Sequence, residues 1–243
     1  MRLRVRELAV SGLPAELDGL RIAHLSDFHL GVPSLGVRAC ERAVDWVAGR
    51  KPDLVCVTGD LLSRRSGAPR LHSLLARLEH PYVVLGNHDL GRSRDPFCQP
   101  AAIEAIDDGT VLSDSSVEVE LRGRRVELAG IDPVTWLDYR AFGLPPSGAD
   151  LRILLCHFPR VIQEVDPGRW QLILAGHLHA GQIVLPYGRR KFLFAHPRAP
   201  FTEGVYARGG TKMHVSPGLG TTFVPLRFFA RPEVTELVLR SED

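Results

Sequence analysis

The sequence predicts an α/β fold, and three observations carry the prediction. Short, continuous apolar runs recur, and each ends in a loop of glycine and polar residues, as strands buried on both faces do. The first three runs lie within LRIAHLSD (20–27), DLVCVTGD (53–60) and PYVVLGNHD (81–89), with helix-like stretches between them. That β-α-β-α-β alternation is the signature of parallel pairing in layered α/β domains. Beyond residue 110 the chain turns strand-rich.

GVRACERAVDWVAGR (36–50) reads as the first helix and PRLHSLLARLEH (69–80) as the second. SVEVELRGRRVELAGI (116–131) alternates at period two around Arg122-Gly123-Arg124, which predicts a hairpin with a polar tip. RILLCHFP (152–159) and QLILAGHLH (171–179) are again continuous apolar runs, and TKMHVSPGLG (211–220) and EVTELVLR (233–240) read as later strands. GLPPSGADL (143–151) is the best candidate break and reads as a loop within one domain spanning 1–243. There is no repeat and no low-complexity stretch.

At 243 residues with 44% hydrophobic and 24% charged residues, the chain can bury a sizeable core. A formal net charge of +2 does not announce a nucleic-acid binder. Cys40, Cys56, Cys98 and Cys156 form no C-x-x-C pair, so a reducing compartment is expected, with Cys56 and Cys156 as small buried hydrophobes. The opening MRLRVRELAV has no apolar signal core, and no run approaches the ~18–20 residues of a membrane span. The expected placement is cytoplasmic.

Five apolar runs end in the same chemistry. They deliver Asp27 and His29, then Asp60, then Asn87, His88 and Asp89, then His157, then His177 and His179. In open α/β sheets the ligand site lies beyond the C-terminal strand ends. His177 and His179, taken as an extended segment, would put both rings on one side with Cα atoms ~6.6 Å apart, a spacing that suits two ions. Asp27, Asp60 and Asn87 supply oxygen; His29, His157, His177 and His179 supply nitrogen. Seven ligands are too many for one ion with an open position, and two ions sharing a carboxylate account for all of them. A mixed nitrogen and oxygen set without thiolate favours manganese, iron or zinc over calcium. Two divalent ions, two aspartates and a bridging hydroxide leave a charge of about +1, which welcomes a phosphate ester.

The series Asp27-Phe28-His29, Gly59-Asp60, Gly86-Asn87-His88-Asp89, His157 and Gly176-His177-Leu178-His179 resembles the calcineurin-like metallophosphoesterases, over roughly residues 20–239. The resemblance implies a four-layer α-β-β-α sandwich with two mixed β-sheets. It implies that Asp27, His29 and His179 hold one metal, that Asn87, His157 and His177 hold the other, and that Asp60 bridges. Metal-bound hydroxide would attack phosphorus while His88 assists the leaving group and Asp89 holds its ring. Together, VSPGLGTTFVPLRFFARPEVTELVL and AGHLHAGQIVLP resemble a bacterial branch that is often membrane-tethered, some of whose members cleave UDP-2,3-diacylglucosamine in lipid A synthesis. Ala180 stands where that branch usually has glycine, and the branch's N-terminal anchor is not seen. His88 stands where a separate group of lipid A pyrophosphatases has arginine, so the chain is not assigned there.

The expected function is hydrolysis of a phosphodiester or pyrophosphate in a small-molecule or lipid-linked substrate. Alternatives are a metal-bound scaffold for protein binding and a nuclease, the latter disfavoured by the near-neutral charge. Weaker signals are Phe228 and Phe229, expected to cover the core beside the last strand, with peripheral contact with the inner membrane face as the alternative. Arg189, Arg190 and Lys191 are expected in a solvated loop, Arg64 and Arg65 are candidates to overhang the site, and His24 is expected to pack. His72, His80, His196 and His214 have no motif context.

Overall fold

The computed structural model describes residues 1–101, 109–138, 147–187, 190–194 and 197–242. In chain order its strands are β1 (Arg2–Val10), β2 (Arg21–Leu25), β3 (Leu54–Thr58), β4 (Tyr82–Val84), β5 (Thr110–Val111), β6 (Ser115–Leu121) and β7 (Arg124–Gly130). There follow β8 (Leu151–Leu155), β9 (Leu172–Ala175), β10 (Val184–Tyr187), β11 (Arg190–Leu193), β12 (Gly204–Arg208), β13 (Thr211–Val215) and β14 (Glu233–Ser241). The helices are α1 (Gly36–Arg50), α2 (Ala68–Leu75), α3 (Pro133–Leu137) and α4 (Val161–Glu164).

Two six-stranded sheets result, ordered β1-β14-β2-β3-β4-β5 and β12-β13-β9-β8-β7-β6. Both are mixed. In the first, β2, β3, β4 and β5 run parallel while β14 opposes β2. In the second, β13, β9, β8 and β7 run parallel, with β12 and β6 antiparallel at the edges. Ile22, Cys56 and Val84 from one sheet pack with Leu128, Leu155 and Leu174 from the other. Each such fully buried aliphatic side chain is worth about 2 kcal/mol in removed apolar surface. The outer face of the first sheet is covered by α1 and α2 through Cys40, Val44, Val47, Leu71 and Leu74. That of the second is covered by α4 and the Trp170 region through Val161, Ile162 and Trp170. The layers are therefore α-β-β-α.

The parallel strands are apolar without alternation because both faces are covered; β3 is buried at every residue. Helix α1 buries Ala39, Cys40, Ala43, Val44 and Val47, the stripe that a 3.6-residue period requires, and ends at Lys51 in the left-handed region (φ +48°). The hairpin of β6 and β7 pairs Leu121 with Arg124 across a two-residue turn. Arg122 (φ +54°) and Gly123 (φ +75°) both carry the positive φ that such turns need.

The second helix is shorter than predicted. Past Leu75 the backbone continues in i→i+3 bonds, Arg77 to Leu74 and Leu78 to Leu75, until His80 at φ +38°. The N-terminal alternation is an edge strand, β1, pairing in parallel with β14. Residues 143–146 of the candidate break, Arg189 and His196 lie outside the described residues. No helix among the described residues is long and apolar enough to cross a membrane.

Glu236 on β14 ties three elements together. It accepts from Arg50 Nε (2.7 Å) and Nη2 (2.6 Å) at the end of α1 and from Arg21 Nη2 (2.9 Å) at the start of β2. Burial works against its charge, yet the two guanidiniums hold the carboxyl down at about 2. A folded-state value below the unfolded one of about 4.3 gives stability that is present above pH ~4.3 and lost as pH falls through about 2. Glu236→Gln is expected to lower the unfolding free energy by about 2 kcal/mol at neutral pH. Urea titrations should show the gap from the unaltered protein closing in acid; a gap independent of pH would contradict the assignment.

Candidate metal centre

The C-terminal ends of β2, β3, β4, β8 and β9 open onto one edge of the stacked sheets, and the predicted residues meet there. Asp27, His29 and His179 bring one ligand atom each into a single buried cluster. Asp60, His157 and His177 form a second, and Asp60 also groups with His29 and His88. Within the first cluster His29 Nε2 lies 3.1 Å from His179 Nε2, and His179 Nε2 lies 3.4 Å from Asp27 Oδ1. Within the second, His157 Nε2 is 3.2 Å from Asp60 Oδ2 and 3.2 Å from His177 Nδ1. Asp60 Oδ2 is 3.5 Å from His29 Nε2, so this one carboxylate touches both clusters.

Second contacts aim the rings. His157 Nδ1 donates to the Thr58 carbonyl (2.7 Å), which leaves Nε2 for the site. His29 Nδ1 meets Ser63 Oγ at 3.2 Å. Arg227 Nη2 lies 2.8 Å from His179 Nδ1, while its other donors hold the carbonyls of Pro217 (2.6 Å) and Gly220 (2.7 Å). A guanidinium has donors only, so Nδ1 accepts and the proton of the neutral ring faces His29 Nε2. A cation held between these two rings would take that proton's place.

The backbone around the ligands is unusual. Asp27 (φ +55°), His29 (+49°), Asp60 (+53°), His177 (+76°) and His179 (+50°) all sit in the left-handed region. Residues 177–179 are therefore not extended, contrary to the spacing expectation. The two rings reach different clusters because the chain turns sharply after Ala175, with a 3₁₀ turn beginning at His179. Ala180 also has a positive φ (+53°), the conformation that makes glycine the usual residue there. Two glycines are fixed by contact. A Cβ on Gly86 would meet Asp60 Oδ1 at 2.1 Å, and one on Gly176 would meet Ser26 Oγ at 2.0 Å and Asp27 Oδ2 at 2.6 Å.

Burial disfavours the charge on Asp60, but the His157, His88 and His29 rings hold its carboxyl well below the usual range. Burial likewise opposes protonation of His157, yet the Asp60 carboxylate raises it to about 9. Burial keeps His29 and His179 far below the usual imidazole range, with lone pairs available. Asp27 is pushed up to about 6 by burial. These are the properties of a buried nest that cations complete. Asn87 Oδ1 adds a further sign: it is buried with no hydrogen-bond partner among the described residues, while Asn87 Nδ2 donates to the Arg92 carbonyl (3.1 Å). The donor set fits divalent metal ions.

His88 stands over the shared carboxylate. Its backbone N–H donates to Asp60 Oδ1 (2.8 Å), its ring packs edge-on against His29, and Ser93 Oγ lies 2.9 Å from its Nε2. Asp89 does not hold this ring. Its carboxylate accepts the backbone N–H groups of Leu62 (2.8 Å) and Gly86 (2.9 Å), so it braces the loops that carry Asp60 and Asn87. A cavity of about 370 Å³ opens over Asp60, Asn87, His88, His177 and His179, walled by Arg92, Arg94 and Phe223.

Sequence reasoning missed Arg92, Ser93, Asp95 and Arg227, which no motif marks. Asp95 is buried and binds the loops together through Phe97 N–H and Phe223 N–H (both 2.9 Å). Arg64, a candidate to overhang the site, donates from Nε to the Phe97 carbonyl at 2.8 Å. His24 packs as expected, between His214 Nδ1 (2.8 Å) and Thr58 Oγ1 (2.9 Å), and His214 is buried with it. Phe228 and Phe229, expected on the core, are exposed.

Gly86→Ala is expected to force Asp60 from its place. Metal analysis after reconstitution should show at least one ion equivalent lost, with thermal stability down by about 1–3 kcal/mol. Full metal content would contradict the contact.

The family model for calcineurin-like phosphoesterases matches residues 20–181. The chain is 34% identical to a zebrafish (Danio rerio) transmembrane protein with metallophosphoesterase domain, over 96% of this chain and 56% of that protein. It is 29% identical to the Bacillus subtilis metallophosphoesterase YkuE, over 94% of this chain and 82% of that one. It is also 29% identical to the Escherichia coli phosphodiesterase YaeI, over 78% and 71%. The chain thus spans little more than half of the zebrafish relative. With its ligand clusters at the strand ends and the family match across most of its length, the chain belongs to the calcineurin-like phosphoesterases, a family of metal-dependent phosphoric ester hydrolases.

Proposed function

We propose that this chain hydrolyses a phosphodiester or pyrophosphate bond in a small-molecule or lipid-linked substrate, using two divalent ions. The observation that carries the reading is the pair of clusters joined by the buried Asp60, with His88 beside the junction and an open cavity above it. Asp27, His29 and His179 would hold one ion, and Asn87, His157 and His177 the other. Asp60 would serve both. Manganese, iron or zinc suits this nitrogen and oxygen set. Bound there, such ions supply a deprotonated water at neutral pH and neutralise phosphate charge.

The chain's own groups do the rest. Arg92 and Arg94 on the cavity wall attract and orient the anion. His88 hands its proton to the leaving oxygen from Nε2, the nitrogen that Ser93 Oγ orients. Asp89 keeps the loop below His88 in register through Gly86 and Leu62. A groove of about 790 Å³ continues from His177 and Leu178 past Trp136, Phe158, Arg160 and Phe201. A diester or pyrophosphate has a second organic group, and this groove supports the reading by giving it room.

Turnover of an aryl phosphodiester by metal-reconstituted protein tests the proposal. Asp60→Asn and Asn87→Ala should abolish it together with metal binding. His88→Ala should lower kcat by about 10²–10⁴-fold with metal content unchanged, and the loss should grow as the leaving group becomes more basic. Full turnover in Asp60→Asn and Asn87→Ala would overturn the dinuclear reading. A His88→Ala loss independent of the leaving group would remove the proton-donor role.

A further inference from the structure

We infer that His24 and His214 are positioning residues for the metal centre, a role that rests on the two-ion reading of that centre. Through Thr58 and Ser26 they form a hydrogen-bonded chain across the two sheets, which holds the His157 ring and fixes the spacing of the ligand loops. Most of the space between the sheets is filled with aliphatic side chains, among them Ile22, Leu174 and Leu237. Toward the metal centre the filling turns polar. His24 on β2, Thr58 at the end of β3, Ser26 and His214 on β13 are all buried. His214 Nδ1 lies 2.8 Å from His24 Nδ1, and His24 Nε2 lies 2.9 Å from Thr58 Oγ1. Thr58 Oγ1 lies 2.9 Å from Ser26 Oγ, which lies 3.0 Å from the Thr58 carbonyl oxygen.

The carbonyl fixes every proton in this chain. It has none to give, so the Ser26 hydroxyl donates to it. Thr58 Oγ1 must then donate to Ser26 and accept from His24 Nε2–H. A neutral His24 is left with a lone pair at Nδ1, to which His214 donates from Nδ1–H. Burial favours neutral rings here. It holds His24 well below the usual imidazole range, and His214 down at about 3, where Arg6 and Arg4 add to the effect. His214 Nε2 remains as a lone pair, buried with no hydrogen-bond partner among the described residues. A pair of aliphatic residues would avoid that penalty, so stability alone does not account for the two histidines.

Both ends of the chain meet the ligands. The Thr58 carbonyl that closes it also accepts His157 Nδ1–H at 2.7 Å. Ser26 precedes Asp27, and its Oγ packs so closely on Gly176 that a Cβ there would lie 2.0 Å away. His214 pairs in register with Leu174 of β9, the strand that leads to His177 and His179. His24 pairs with Cys56 of β3, the strand that leads to Asp60. The contact between the two imidazoles therefore joins strands that deliver ligands from both sheets. A hydrogen bond sets distance and direction, whereas aliphatic contact allows sliding.

Equilibrium dialysis of the metal-free full chain against manganese, with melting temperatures from the same samples, tests the positioning role. His214→Leu is expected to weaken manganese binding about tenfold. His214→Asn keeps a donor, Nδ2, in the place of Nδ1–H and should bind within about twofold of the unaltered protein. His24→Leu combined with His214→Leu removes both partners, so the melting temperature should return toward that of the unaltered protein while the loss of about tenfold remains. The double variant carries the comparison where His214→Leu alone does not fold. Unaltered manganese affinity in the folded leucine variants, or equal losses in His214→Asn and His214→Leu, would overturn the inference. A double variant that does not fold would assign the pair to stability and overturn it as well. No manganese binding by the unaltered protein would overturn the two-ion reading itself, and the positioning role with it.

Discussion

Everything at the strand ends is arranged around one buried carboxylate. Asp60 leaves the central strand of the first sheet, and its two oxygens are divided between tasks. Oδ1 takes the His88 N–H and lies against Gly86, while Oδ2 lies within 3.5 Å of His29 and His157, one from each cluster. A buried carboxylate is costly unless it is compensated, and here the compensation comes from loops of both sheets. Parallel pairing makes this possible. It points five strand ends the same way, so that loops distant in sequence arrive at one carboxylate. The four layers then act as a clamp, because shifting either sheet would separate His157 from Asp60.

The left-handed conformations follow from the same requirement. A strand delivers its side chains alternately to opposite faces, whereas the site needs consecutive polar groups turned toward one point. Asp27, His29, Asp60, His177 and His179 solve this by positive φ, a conformation that costs of order 1 kcal/mol or more for a non-glycine residue. Packing holds them there. The backbone N–H of His177 reaches Asp27 Oδ1 at 3.1 Å, and Gly218 and Gly220 lie so close to Asp27 and Phe28 that no Cβ fits. Strain at the ligands is thus balanced by close approach of neighbouring glycines, so the glycines belong to the site as much as the ligands do.

This explains what could be read from the sequence. The parallel strands were legible because burial on both faces leaves an unbroken apolar run, and the ligands because each follows such a run at its C-terminal end. Helix α1 was legible to the residue, since its apolar stripe and its ends coincide. The conformation of 177–179 was not, because no local pattern distinguishes an extended Gly-His-Leu-His from one that turns twice. Asp89 was misread for a related reason. Its neighbour in sequence is His88, but its partners are backbone groups on another loop and at Gly86. Arg227 was invisible as a site residue because its contact with His179 spans 48 positions and sits in an otherwise apolar stretch.

Arg227 also connects the two faces of the loop it belongs to. Its guanidinium is buried and reaches His179 Nδ1, whereas Phe228 and Phe229, the next two residues, point to solvent. Burial depresses the guanidinium to about 10, which leaves it charged at any physiological pH. Four contacts, to Pro217 O, Gly220 O, His179 O and His179 Nδ1, leave the side chain little freedom. Gln182 binds the same loop from the other side, donating to Thr222 O (2.6 Å) and accepting from Thr222 N–H (2.9 Å). The exposed aromatic residues are therefore carried on a segment anchored at both ends, and one anchor is a candidate metal ligand. The loop that carries Phe228 and Phe229 is thus held in place by a contact with the imidazole that completes the first cluster.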